Sequence, residues 1–255
     1  MPKICFISCL NDKVQYATCL SHINNLTVPD GFTVETIALD DAKSLASGYN
    51  RALKQTDAEY KVYIHQDTYI INKNFIQDIV DLFASDPKIG LLGVVGAYEL
   101  PLNGMWGSAK KKYGKVIVKH DGQVENFFRL EVVGACQEVR CVDGLLIVTR
   151  YDLPWREDLF DGWHFYDISQ CLEFQRKKHA VCIPRQDEPW CIHDCKTGGD
   201  PSPYHYYRDI FMREYAKDMY FFGYLPVLVY NWNRKLRPFL KAIETQVKKL
   251  RKISQ

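Results

Sequence analysis

An α/β fold is predicted for this chain: a mostly parallel central sheet with helices on both faces, followed by a helical, basic C-terminal extension. Three observations carry that expectation. Strand-like and helix-like segments alternate through the first hundred residues at the spacing of strand–helix–strand units. The chain has 255 residues, 47% hydrophobic and 25% charged, which suits one large α/β unit with a proper core. The last stretch, 234–255, carries eight Lys or Arg against a single acidic residue, Glu244, and reads as a solvated or surface-seeking helix.

The elements follow in order. Residues 4–10 form a short apolar run and read as a buried first strand. Residues 14–26 carry helical spacing through Val14, Ala17, Leu20 and Ile23. Residues 32–39 alternate as a second strand, and 44–54 form a second helix with Ser44 as its N-cap. A third strand covers 60–64, a third helix 74–84 and a fourth strand 91–97. Residues 98–135 are punctuated by Gly104, Gly107, Gly114 and Gly122 and predict loops with a small hairpin near 116–119. A buried strand returns over 139–149, a helix over 167–178 and a short strand over 180–183. From Tyr204 onward the chain is helical and aromatic. The domain expectation is a main unit at 1–205 and an extension at 206–255.

Composition removes several function classes. Lys plus Arg total 33 against 31 Asp plus Glu, a net charge of +2, which argues against nucleic-acid binding by bulk charge. Nine cysteines, several inside apolar runs, read as reduced core thiols rather than a disulfide framework, and point to a cytoplasmic protein. The N-terminal apolar run stops at Asn11 and Asp12 with no small-residue cleavage site, so it reads as a strand and not a leader peptide. The most apolar uncharged stretch, 219–233, contains Pro226, Asn231 and Asn233 and falls short of the ~20 residues needed to span a bilayer.

In parallel sheets ligands bind beyond the carboxyl ends of the strands, so residues just after strands are the chemical candidates. The first cluster is His65-Gln66-Asp67, after the third strand. A carboxylate there can hold a divalent cation that neutralises phosphates, or it can simply cap a turn. The second is Asp161-Gly162-Trp163-His164-Phe165-Tyr166-Asp167. Trp163 can stack on a sugar face and a nearby carboxylate can act as a general base; the plainer reading is a turn followed by a helix start. The third is Cys191, His193 and Cys195. His193 is either a metal ligand or a satisfied structural histidine. A zinc site from these residues with Cys182 is disfavoured, because the spacing is not that of paired zinc knuckles.

Together these segments resemble a bacterial branch of the family 2-type glycosyltransferases with the GT-A, Rossmann-like fold. The matching pieces are Gly48-Tyr49-Asn50, His65-Gln66-Asp67, Val142-Asp143-Gly144, the segment from Asp161 to Asp167, and His193. The resemblance covers about residues 3–205. It implies that Asp67 stands for the last acidic residue of the Asp-x-Asp motif that binds a metal on the donor diphosphate, with His65 in place of the first. It implies that His193 completes the metal site, so a divalent Mn2+ or Mg2+ cofactor is expected. Asp167 would be the general base, with Tyr166 replacing the preceding Glu and Ser169 standing where relatives carry another Asp. Asp40, Tyr49, Asn50, His65 and Asp143 would lie on the nucleotide and donor side. Trp163, Asp161 and His164 would lie on the acceptor side.

The activity so implied is inverting transfer from a nucleotide-diphosphate sugar to a hydroxyl of a glycan or lipid-linked acceptor, in cell-surface polysaccharide synthesis. The C-terminal aromatics followed by Arg234, Lys235, Arg237 and Lys241 would suit peripheral contact with an anionic membrane at its inner face. The alternative is a solvated helix packing its apolar stripe on the domain or on another subunit. Two other functions compete. A non-catalytic nucleotide- or sugar-binding module of the same fold is supported by the altered motifs. A nucleotidyltransferase shares the alternating architecture, but residues 6–12 contain no glycine for a phosphate loop.

Overall fold

In the computed structural model, residues 1–120, 123–195, 202–219, 232 and 235–239 are described. The order begins β1 (Lys3–Cys9), α1 (Lys13–Asn24), β2 (Thr33–Leu39), α2 (Leu45–Leu53), β3 (Tyr60–Ile64), β4 (Thr68–Ile70), α3 (Phe75–Ser85), β5 (Ile89–Gly93) and β6 (Val95–Ala97). A 3-10 turn (Trp106–Ser108) precedes β7 (Lys112–His120), β8 (Gln123–Phe128), β9 (Cys136–Glu138), β10 (Cys141–Val142) and β11 (Leu146–Thr149). Then come α4 (Tyr166–Arg176), β12 (Ala180–Pro184), β13 (Cys191–Asp194), α5 (Ser202–Glu214) and α6 (Ala216–Met219).

Helix starts follow local chemistry. Asp12 accepts hydrogen bonds from the Val14 and Gln15 amides at 3.0 and 3.1 Å and starts α1. Ser44 starts α2, as its sequence suggests, through a reciprocal capping box with Ser47. In α3, Phe75, Ile76, Ile79, Leu82 and Phe83 form one buried stripe at helical spacing.

The main sheet has seven strands in the order β2-β1-β3-β11-β5-β12-β9. Two apolar clusters cover it. Residues of α1 and α3 join one, and residues of α2, α4 and α5 join the other. The doubly covered sheet explains why β1, β3, β5 and β11 are almost uninterrupted apolar runs. A second sheet, β10-β6-β7-β13-β4 with β8 beside β7, stands at the edge where β3 ends. The hairpin expected near 116–119 is the β7–β8 pair.

Five of the seven strands run in one direction, so the main sheet is mostly parallel as expected, with β11 and β9 reversed within it. β1 runs parallel to β2 and β3, and β12 parallel to β5, but β11 is antiparallel to both β3 and β5, and β9 is antiparallel to β12. The reason is topological. β1, β2, β3 and β5 follow one another through helical connections and run the same way, whereas β11 arrives from a strand-and-loop insertion with no crossover helix. The single strands expected over 91–97 and 139–149 are each split between the two sheets. The second split, at Asp143-Gly144-Leu145, brings those residues beside the end of β3, where the Leu145 carbonyl accepts from the His65 amide at 3.0 Å.

Helix α5 crosses position 205, and its Phe211 and Met212, with Tyr215 beyond it, lie in the same core as Ile168 and Leu172 of α4. Arg156 and Arg176 add ion pairs to Glu173, Glu214 and Asp218 at 2.8–3.3 Å that tie these helices together. Seven of the nine cysteines are buried, in keeping with core thiols. Most of the aromatic and basic C-terminal stretch, 220–231 and 240–255, lies outside the described residues, as do residues 196–201. No helix among the described residues is long and apolar enough to cross a membrane.

Candidate active site

Two backbone hydrogen bonds, a strand pairing and one hydrogen bond to a side chain gather the site at the carboxyl end of β3. The His65 amide bonds Leu145, which sets the Asp143-Gly144 turn alongside. The Asp194 amide donates to the Asp67 carbonyl at 2.8 Å, and His193 pairs in register with Thr68, which brings β13 to the other side. The Asp167 carboxylate accepts from the Gly144 amide at 3.1 Å, which docks the start of α4. Segments distant in sequence thereby meet at the end of β3.

His65, Asp67 and His193 form one group whose ligand atoms all lie within 4.8 Å of one another, and among the described residues this is the group that could hold a metal ion. Nε2 of His193 lies 3.5 Å from Asp67 Oδ1, and Nδ1 of His65 lies 3.9 Å from the same oxygen. That oxygen is buried and accepts no hydrogen bond. A buried carboxylate oxygen facing two imidazoles, with no donor of its own, fits a divalent cation. Burial opposes charge on Asp67, but the two histidines outweigh it and hold the carboxyl below its usual range. Burial also opposes charge on His193, but Asp67, Cys195 and the charge of Asp143 together push it up to about 10. For His65 burial wins, and its pKa is lowered despite Asp67.

Asp167 is the second residue of α4 and half-buried. Burial and the charge of Asp143 push its pKa up to about 7, against backbone donors that include the Gly144 amide. A carboxylate poised there suits proton abstraction near neutral pH. Its neighbour Tyr166 is buried, and its phenol is pushed well above the usual range, so it stays neutral. Tyr166 Oη lies 2.6 Å from His65 Nε2 and so joins the base's helix to the metal-capable group. Phe165, which precedes it, has φ 62°, a left-handed conformation that costs a bulky residue about 1–3 kcal/mol. Its buried ring packs on Tyr204 and Phe211, which offsets that cost.

A cleft of about 190 Å³ opens on this group, lined by Cys9, Leu10, Asn11, Leu45, His65, Gln66, Asp67 and Trp163. Trp163 is 50% exposed at its side. Two larger surface hollows, of about 680 and 540 Å³, hold none of the candidate residues. Gln66 lay within the first cluster that the sequence marked but was given no role there, and the structure makes it a site residue. Its Oε1 accepts from the Asn11 and Asp12 amides at 2.8 and 2.9 Å, and its Nε2 donates to Asn11 Oδ1 at 2.6 Å, fixing the loop after β1 against the cleft. Its polarity between His65 and Asp67 was the available signal.

The other candidates divide. Asp143 stands beside Asp167 and Gly144, and its Oδ1 accepts from the Leu145 amide. Asp161 is exposed and accepts from Tyr207 at 2.8 Å, and His164 is half-buried against Tyr204. Asp40 follows β2 on the same sheet edge, exposed and paired with Lys13 at 3.1 Å, outside the cleft lining. Tyr49 and Asn50 are not presented to the cleft. Tyr49 is fully buried between Tyr63 and Trp155, and the Asn50 amide is occupied by the Trp155 backbone at 2.7 and 2.9 Å. Cys191 is buried in β13, and Cys195 lies 3.2 Å from His120 Nδ1.

Gly144 supplies a direct check of this packing. A Cβ there would meet Tyr166 Oη at 2.1 Å and Asp167 Cβ at 3.1 Å. Gly144→Ala is expected to push Tyr166 off His65 and to cost about 1–3 kcal/mol of stability, read as a lower urea midpoint with an unchanged slope.

The profile of the glycosyltransferase-like family matches residues 5–215. No curated protein matches the chain. Among solved structures, the chain is similar to residues 1–349 of TarS from S. aureus in complex with UDP, with a TM-score of 0.53 and 13% identity over 84% of this chain and 65% of that one. It spans 39% of the longer TarS structure, at a TM-score of 0.54 and 13% identity. It is also similar to the mannosyltransferase PcManGT from Pyrobaculum calidifontis in complex with GDP-Man and Mn2+, with a TM-score of 0.50 and 11% identity over 89% of this chain and 73% of that one. At these identities the structural likeness speaks for the fold, which is GT-A. With more than half of its length matched by the profile, and with that fold, this chain belongs to the glycosyltransferase-like family.

Proposed function

We propose that this protein is an inverting glycosyltransferase that moves a sugar from a nucleotide-diphosphate donor to a hydroxyl of a glycan or lipid-linked acceptor. The observation that carries the reading is the meeting, at one strand end, of a metal-capable His65–Asp67–His193 group and a carboxylate, Asp167, poised to ionise near pH 7. The UDP and GDP-Man complexes of structures sharing the fold support the donor class.

The roles follow from charge. A divalent cation held by Asp67 and His193 would offset the charge that grows on the leaving diphosphate. Asp67 and His193 bind and orient at the carboxyl edge of β3, and Gln66 steadies the cleft wall beside them. Asp167 takes the proton of the attacking acceptor hydroxyl, and Tyr166 keeps the first turn of α4 against His65. A single base with in-line attack inverts the anomeric carbon. Asp143, with Asp40 further out along the sheet edge, is assigned to the donor side, and Trp163, with Asp161 and His164, would offer an aromatic face to an acceptor sugar.

A thermal-shift panel of UDP-, GDP-, CMP- and dTDP-sugars, with and without Mn2+, tests the donor site. One nucleotide class is expected to raise the melting temperature only with the metal present. At ~100 times its dissociation constant the gain is ~2.7 kcal/mol. No shift with any donor would overturn the reading, whereas a shift without transfer to any acceptor would favour a binding module.

A further inference from the structure

The metal-capable group differs in its donor atoms from a pair of carboxylates, and the difference has consequences for the ion. Two of its three side chains are imidazoles, and Asp67 supplies the sole carboxylate. His65 enters the site through Nδ1, which faces Asp67, because its Nε2 is engaged by Tyr166. A neutral imidazole carries one proton. With that proton on Nε2, donated to Tyr166 Oη, the Nδ1 lone pair points at the site. Hydrogen bonding of the outer nitrogen is the usual way a protein sets the tautomer of a ligating histidine. Ligands about 2.1 Å from a common ion lie about 3.0–3.5 Å apart. The observed 3.5 and 3.9 Å separations, with all three ligand atoms within 4.8 Å of one another, are somewhat wider, so an ion would draw the group together.

We propose that His65 Nδ1 is a third metal ligand, positioned by Tyr166, and that the resulting two-histidine, one-carboxylate site selects borderline first-row ions over Mg2+. The chemistry is that of ligand hardness. Mg2+ prefers oxygen donors and sheds water reluctantly, whereas imidazole favours transition ions in the order Mn2+ below Co2+. The inference rests on the proposed nucleotide-sugar site for its purpose, but it concerns the metal alone.

The test is a titration of metal-stripped full-length protein with Mn2+ alone, followed by loss of the free-ion paramagnetic resonance signal, with Mg2+ and Co2+ as competitors. Co2+ is expected to displace Mn2+ at concentrations below its own, and Mg2+ only at ~100-fold excess or more. His65→Ala is expected to weaken Mn2+ and Co2+ binding by ~10–100-fold, and to change the visible absorption of the Co2+ form. His65→Asp is expected to bring Mg2+ within about tenfold of Mn2+. Tyr166→Phe, which keeps the ring and its packing, is expected to weaken Co2+ by ~10-fold. Thermal melting checks that each variant is folded. A folded His65→Ala protein that binds Mn2+ and Co2+ like the parent would overturn the proposal, as would Mg2+ competing on equal terms in the parent. Failure here alongside intact donor binding and transfer removes the metal assignment and leaves the transferase. Metal binding as expected, with no donor shift, does the reverse.

Discussion

Asp167→Asn is expected to lower the transfer rate by on the order of 10²–10⁴-fold while leaving donor-dependent thermal stabilisation intact. The substitution removes the proton acceptor and keeps the shape, and the Asn oxygen can still accept from the Gly144 amide. The parent enzyme should show an acid limb in its pH–rate profile, with kcat/KM falling tenfold per pH unit below about 7, where Asp167 becomes protonated. The variant should lack that limb. Stability should move in the opposite direction. The folded-state pKa of Asp167 is raised from 3.8 to about 7, so the fold favours the neutral carboxyl. Relative stability is therefore lost as pH rises from about 4 to about 7, and stays lost above that. An uncharged Asn avoids the loss. At pH 8 the variant is expected to be more stable than the parent by about 1–3 kcal/mol, a gain that vanishes near pH 4. Both effects would follow from a proposed base kept against its solvation preference. Equal melting temperatures at pH 8 would remove the buried-base argument.

Asp67→Ala is expected to abolish the metal-dependent donor shift and to lower kcat/KM by on the order of 10³-fold or more, the several kcal/mol that a cation supplies to a developing diphosphate charge. The fold should survive. The β-strand contact at this position runs through the Asp67 carbonyl to the Asp194 amide, which no side chain at 67 alters. The loss should therefore register in the donor panel and in Mn2+ titration before it registers in urea unfolding. A variant that retained the Mn2+-dependent shift would move the metal away from the carboxyl end of β3.

The sequence by itself determined the α/β class, most element positions, the Ser44 cap and the prominence of His65, Asp67, Asp167 and His193. These are local properties. Apolar periodicity reports which face is buried, and a polar residue ending an apolar run marks where a strand meets solvent. Tertiary structure decided the rest, because the rest depends on which distant segments touch. The antiparallel insertion of β11 follows from an arrival without a crossover helix, and it brings Asp143 and Gly144 to the end of β3. The inward packing of Tyr49 and Asn50 follows from Trp155, over a hundred residues away, which takes their contacts. Tyr166 touching His65 depends on a left-handed Phe165 that no local rule favours, held there by its packing against α5. Periodicity is read within one segment, whereas a site of this kind is an agreement among several, fixed only when the core between them closes.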